Sequence, residues 1–269
     1  MKQLLTNLSV LEVSGKDSLT FLNSQFSNKL SDLLNFPEKA QINCLCQHQG
    51  KIIALMYVVF SEGKFFLIFD KSIEKKLVER LNTFKLMSEV KINPCDGKLK
   101  VFGVIDDIIP NTFKLVKNMY LHLASGNDLK ESIYSFNIWE YNSIKNNLPE
   151  VYAQTTEMFI PQTLNLDINE IGVSFTKGCY PGQEVIARMH YLGKPKRRMF
   201  KFISKVRVKV GDEINIEESN SLKPSGNVIR VANYNEVYYF LGTLEVKHQD
   251  HKIFLGDKPS NSVKIIDEI

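Results

Sequence analysis

The sequence predicts an α+β fold with a β-rich C-terminal module. Up to about residue 198, runs alternating at period two are interleaved with stretches of helical spacing. Beyond it, short β segments are punctuated by Gly211-Asp212, Pro224-Ser225-Gly226 and Asn233-Tyr234-Asn235. At 269 residues the chain exceeds the usual single-domain size, so two or three modules suit it better than one.

Leu8–Val13 alternates as a strand. Asp17 or Ser18 stands where a helix N-cap belongs, ahead of Leu19, Leu22 and Phe26 on one face. Cys44–Cys46 and Lys51–Phe60 read as strands, and Ser61-Glu62-Gly63-Lys64 turns the chain back through Phe65–Phe69. Lys71–Phe84 reads as a helix with Ile73, Leu77, Val78 and Leu81 inward. Strands near Val90, Val101–Ile105 and Met119–Leu123 continue the alternation, and Glu131–Asn147, which holds the only tryptophan, Trp139, reads as a helix. Phe200–Val208, Gly226–Ala232, Val237–Val246 and Val263–Ile266 suit a small antiparallel barrel or sandwich. The expected division is 1–198 and 199–269, with the boundary near Met199.

Composition excludes several classes. Four cysteines, at 44, 46, 95 and 179, form neither a disulfide scaffold nor a CxxC pattern, so reduced cytoplasmic thiols are the simplest reading. Cys44 and Cys46 share a strand face but lack further ligands, and no metal site is expected. The N-terminus has no secretory apolar region, and the longest apolar run, Ile52–Phe60, is too short to span a bilayer; no membrane contact is expected. The formal charge is only +4, yet Lys177–Lys201 holds seven basic residues against Glu184 alone, a local net of +6. Such a patch can steer an anionic ligand or RNA.

The densest chemistry lies in Lys177-Gly178-Cys179-Tyr180-Pro181-Gly182-Gln183-Glu184-Val185-Ile186-Ala187-Arg188. Pro181 and the flanking glycines form a tight turn that displays Cys179 instead of burying it. From Gly182 the apolar residues recur at helical spacing, so a helix starts here with its positive end close to the thiol. On an extended segment Lys177 and Cys179 face one side, where the ammonium favours the thiolate or holds a carboxylate. Glu184 and Arg188 are spaced for an i,i+4 pair, a contact worth a few tenths of a kcal/mol. His190 and the Lys194–Arg198 cluster suit phosphate or RNA, or a solvated loop, although only Tyr191 and Phe200 lie among the cations.

The Lys-Gly-Cys-Tyr-x-Gly-Gln-Glu pattern with its following Ala-Arg resembles the signature of the YgfZ family, relatives of the glycine-cleavage T-protein. Similar echoes are Gly15-x-Asp17-Ser18-x-x-Phe21-Leu22, Gln49-Gly50-Lys51, Phe159-Ile160-Pro161-Gln162-x-x-Asn165-Leu166-Asp167 and the basic loop His190–Arg198. The resemblance implies a T-protein-like ring of two interleaved α+β modules plus a C-terminal antiparallel β-barrel. It implies tetrahydrofolate or a related reduced folate at Lys177, Gly178, Tyr180, Gln183, Glu184 and Arg188, with Cys179 as the reactive thiol. It implies iron–sulfur proteins or assembly factors as partners, and a role in iron–sulfur cluster assembly or repair and thereby in tRNA-modifying enzymes. Two departures stand out. The family's Arg-Ile-x-x-Gly-x-Pro reads Ser143-Ile144-Lys145-Asn146-Asn147-Leu148-Pro149 here, and the T-protein's acid is replaced near Ala54-Leu55. An apolar residue moves no proton, which counts against aminomethyl or methyl transfer of the T-protein type. An RNA-binding module on the 188–201 patch is the remaining alternative.

Overall fold

The computed structural model describes residues 1–86, 88–125, 137–217 and 224–267. These residues form two compact units. One comprises residues 1–125, Val151–Pro161 and Leu166–Tyr191; the other comprises 137–150, Gln162–Asn165 and 192–267.

The first unit opens with β1 (Lys2–Leu4), β2 (Leu8–Ser14), α1 (Ser18–Gln25) and α2 (Asp32–Asn35). It continues through β3 (Gln41–Cys46), β4 (Ile52–Ser61), β5 (Lys64–Asp70), α3 (Glu74–Phe84) and β6 (Lys91–Pro94). Strands β7 (Leu99–Ile105), β8 (Thr112–Val116) and β9 (Met119–Ser125) follow. An antiparallel five-stranded sheet runs β3-β4-β5-β2-β6, and a four-stranded sheet runs β1-β7-β9-β8. Glu62 and Gly63 both take positive φ, 50° and 73°, which is the left-handed two-residue turn whose twist matches a β-hairpin and which joins β4 to β5. The continuous apolar run predicted from Ile52 is buried along β4 as far as Val59. Helix α1 places Phe21 and Leu22 against Leu11, Leu45, Leu67 and Leu77 of the same core.

Asp17 stands at the α1 N-cap position but makes no side-chain cap. Its carboxylate instead accepts the Glu89 N–H at 2.8 Å, while Gly15, at φ 115°, approaches the Glu89 carbonyl more closely than a Cβ would permit. The Gly15-x-Asp17 motif thus clasps the connection between α3 and β6 at Glu89.

In the second unit α4 (Ile138–Lys145) precedes β10 (Arg197–Ser204), β11 (Glu213–Ile216), β12 (Gly226–Tyr234), β13 (Val237–Glu245), β14 (Ile253–Leu255) and β15 (Ser262–Ile266). These strands close into an antiparallel barrel, β10-β13-β12-β11-β14-β15, around Phe202, Ile214, Val228, Phe240 and Leu244. The predicted α+β fold with a C-terminal β module is the fold found, and the module is a barrel and not a sandwich. The helix expected over 131–147 runs from Ile138 to Lys145; residues 131–136 lie outside the described residues.

Helix α4 is fixed by a buried guanidinium. Arg230 of β12, 1 % exposed, donates from Nε to Glu140 Oε2 at 2.5 Å and from Nη2 to Oε1 at 3.0 Å. Its Nη1 donates to the Leu148 carbonyl at 3.0 Å. One arginine from the barrel thereby holds Glu140, ahead of the Ser143–Pro149 segment, and Leu148 near that segment's end. Among the described residues no helix is long and apolar enough to cross a membrane.

Candidate functional site

The 177–188 segment lies in the first unit, and helix α5 (Gln183–Leu192) begins where the sequence places it. Gly182 has φ +84°, and a Cβ there would come within 2.5 Å of the Gln47 carbonyl oxygen and 2.8 Å of Gly50 Cα. Gly50 closes a turn in which Gln47 N–H donates to Lys51 O and Gly50 N–H donates to Gln47 O, each at 2.9 Å. A Cβ on Gly50, at φ +78°, would meet Val185 Cβ at 3.3 Å. The motifs around Gly50 and Gly182, far apart in sequence, therefore form one packed joint.

The irregular segment leading to this joint is stitched to α1, to the residues just after it and to β3. Ser174 N–H donates to the Ser27 carbonyl at 3.0 Å. Ser27 Oγ donates to Gly172 O at 2.6 Å and accepts the Cys44 N–H at 2.8 Å. Lys177 Nζ then donates to the Asn23 carbonyl at 2.6 Å and to the Phe26 carbonyl. Those carbonyls belong to the C-terminal end of α1, where the helix dipole favours a cation.

This placement gives Lys177 partners that its own stretch of sequence does not announce. Its ammonium turns inward onto α1. Burial pushes it down to about 8, while the charge of Cys179 pulls the other way, so the two groups still interact electrostatically. Tyr180 is a core residue: it is 6 % exposed, with the Lys177 ammonium 4.7 Å above its ring. Burial pushes its phenol well above the ordinary value.

The remaining predicted residues are displayed. Gly178 and Cys179 are exposed, and a Cβ built on Gly178 would touch nothing within 4 Å. Glu184 and Arg188 are exposed on α5, and Gln183 is half-buried at its start. The expected Glu184–Arg188 pair is not formed: among the described residues neither side chain has an ion-pair or hydrogen-bond partner, because both extend into solvent where such a pair gains little. Cys44 and Cys46 are fully buried strand residues; burial pushes Cys44 up to about 12 and Cys46 well above its ordinary value. Cys95 is also buried. Of the four thiols, the exposed one sits in the signature turn.

The chain is 32 % identical over 252 residues to a protein of Haemophilus influenzae described as uncharacterized, covering 87 % of this chain and 85 % of that one. It is 27 % identical over 263 residues to the tRNA-modifying protein YgfZ of Aliivibrio fischeri, covering 87 % and 81 % of the two chains. The YgfZ of Buchnera aphidicola is 24 % identical over 287 positions, covering 92 % and 87 %. The chain belongs to the YgfZ family. No protein-family model matches it. Among solved structures, the glycine cleavage system aminomethyltransferase T of Bartonella henselae matches the YgfZ-family chain with a TM-score of 0.62 at 10 % identity, covering 100 % of this chain and 85 % of that one. At that identity the likeness shows the fold, which is T-protein-like as the motifs implied.

Sequence reasoning missed the acceptors of Lys177 and the stack of Phe175 on His190, whose ring centroids are 3.7 Å apart. No local pattern points to the first. The second had a weak signal in the aromatic residues flanking the signature on either side.

Proposed function

We propose that this YgfZ-family chain binds a reduced folate, tetrahydrofolate or a close relative, on the Gly178–Arg188 surface. With Cys179 as its reactive group it supports iron–sulfur enzymes, tRNA-modifying ones among them. One observation carries the reading: an exposed thiol stands just ahead of a rigid glycine joint, from which α5 carries a carboxylate and a guanidinium that have no protein partner among the described residues. The T-protein-like fold and the names of the YgfZ relatives support it.

The donor set fits the ligand. Glu184 can accept from the N–H edge of a pyrimidinone, and Gln183 can donate or accept beside it. Arg188 and the exposed Lys51 of the facing turn suit the tail carboxylates. The open space above Gly178 lets a flat ring approach the backbone. When bound, the folate supplies a carrier for one-carbon groups. Lys177 acts as a positioning residue, fixing the loop to α1. Ala54 and Leu55 are fully buried on β4, so this face lacks the acid that the T-protein route of transfer uses.

Complementation tests the reading. Cys179→Ala, introduced into a cell lacking its own copy, should yield a folded protein that fails to restore iron–sulfur enzyme activity, because removing an exposed sulfur costs little stability. Full restoration would remove the thiol from the function and leave the motif as a folate scaffold.

A further inference from the structure

Helix α5 ends in an aromatic corner that the folate reading does not use. Phe175 and His190 stack with centroids 3.7 Å apart and planes 19° apart. Tyr191 stands edge-on to both, 4.8 Å from His190 at 84° and 6.1 Å from Phe175 at 69°. None of the three rings belongs to the buried core; His190 is exposed and Tyr191 is 66 % exposed. Phe175 underlies the imidazole, leaving its outer face to solvent, with the phenol ring as a perpendicular wall.

The charge around this corner is cationic. Arg188, one turn earlier on α5, is exposed and has no ion-pair or hydrogen-bond partner among the described residues. The acid that touches the corner, Glu170, already accepts the Phe175 N–H at 3.2 Å.

Open ring faces beside an unpaired cation are an arrangement that binds single-stranded nucleic acid: bases stack on the rings and a phosphate meets the charge. A protein-docking patch would instead be expected to deplete charge at its centre. We infer that Phe175, His190 and Tyr191 form a stacking platform for unpaired bases of RNA, with Arg188 on a phosphate. RNA is chosen over DNA because the YgfZ relatives are named for acting on tRNA. The inference does not depend on folate binding.

Fluorescence anisotropy of the full chain with a labelled single-stranded RNA of about 12 nucleotides tests it, at about 50 and 200 mM salt. The native protein should bind the single strand, more weakly at the higher salt. His190→Ala with Tyr191→Ala should weaken binding about tenfold or more, whereas His190→Phe with Tyr191→Phe should keep most of it, since stacking needs a ring and not a particular edge. Thermal melting and tetrahydrofolate titration of both variants should match the native protein. If the double alanine variant melts early, the Phe pair and Tyr191→Ala alone decide. No binding by the native protein, alanine variants that bind like it, a Phe pair that loses as much as the Ala pair, or equal binding of a base-paired duplex would each overturn the platform. A native protein that binds RNA but not folate would instead count against the folate reading alone.

Discussion

Gly182 lies against Gly50 with no room for a side chain between them: a Cβ at 182 would sit 2.8 Å from Gly50 Cα. Both glycines have positive φ, so the contact is available to neither an L-residue's backbone nor its Cβ. The joint fixes the start of α5 against the Gln47–Lys51 turn, and Cys179 is presented from that fixed base.

Gly182→Ala should therefore cost about 1–3 kcal/mol in a urea denaturation series, from the strained φ together with the clash. Gly178→Ala is the internal control. Its φ is outside the left-handed range and its Cβ would meet nothing within 4 Å, so its stability should change by no more than about 0.5 kcal/mol. Equal costs at both positions would mean that the joint is not the rigid element.

Cys179 should alkylate well before Cys44, Cys46 and Cys95 near neutral pH. It is exposed, whereas the other three are buried and their thiols are pushed up by desolvation, Cys44 to about 12. Mass spectrometry of the native protein under brief iodoacetamide treatment gives the order. Labelling of Cys95 at the rate of Cys179 would contradict it.

Lys177 gives a pH signature. Its folded value, about 8, is below its ordinary 10.5, so between these values the unfolded chain binds more protons at this site than the folded one. The desolvation cost of the ammonium is thus fully present below pH 8 and is relieved as pH rises toward 10.5. The stability of the native protein minus that of Lys177→Met should rise over that window and level off above it. The difference also cancels the buried cysteines, whose raised values act in the opposite direction. A flat difference would mean that the two carbonyl acceptors restore the ammonium's ordinary affinity for its proton.

The Arg230–Glu140 pair is almost fully buried, with side chains 1 % and 12 % exposed. Glu140→Ala leaves a buried guanidinium without its bidentate partner and should cost about 3–5 kcal/mol, measured by denaturant unfolding. A loss below about 1 kcal/mol would place the pair among surface ion pairs in energetic terms.

The parts of the site legible in the sequence are those set by local backbone chemistry. Gly178, Pro181 and Gly182 dictate a turn whatever surrounds them, so the display of Cys179 and the start of α5 could be read from ten residues. Lys177 could not be read this way, because its acceptors lie 154 and 151 residues away and a half-exposed lysine looks the same in sequence wherever its ammonium ends. Asp17 stands at the N-cap position that the sequence marks, but its carboxylate reaches the Glu89 N–H, 72 residues on, which no local pattern shows. The long apolar strands β4 and β13 announce themselves by pattern, whereas β1, β11 and β14, of three or four residues, are too short to show a period and exist through their neighbours. Arg230 falls within the expected strand Gly226–Ala232, but its burial rests on pairing with Glu140, 90 residues away, which no local pattern shows.

Calorimetric titration of the native chain with tetrahydrofolate at low salt tests the central claim most directly. Saturable binding of one folate per chain is expected, weakened at least about tenfold by Glu184→Ala combined with Arg188→Ala, which removes two of the three charged groups assigned to the ligand. No heat at millimolar tetrahydrofolate, or binding untouched by that double substitution, would contradict the assignment of this surface to a reduced folate.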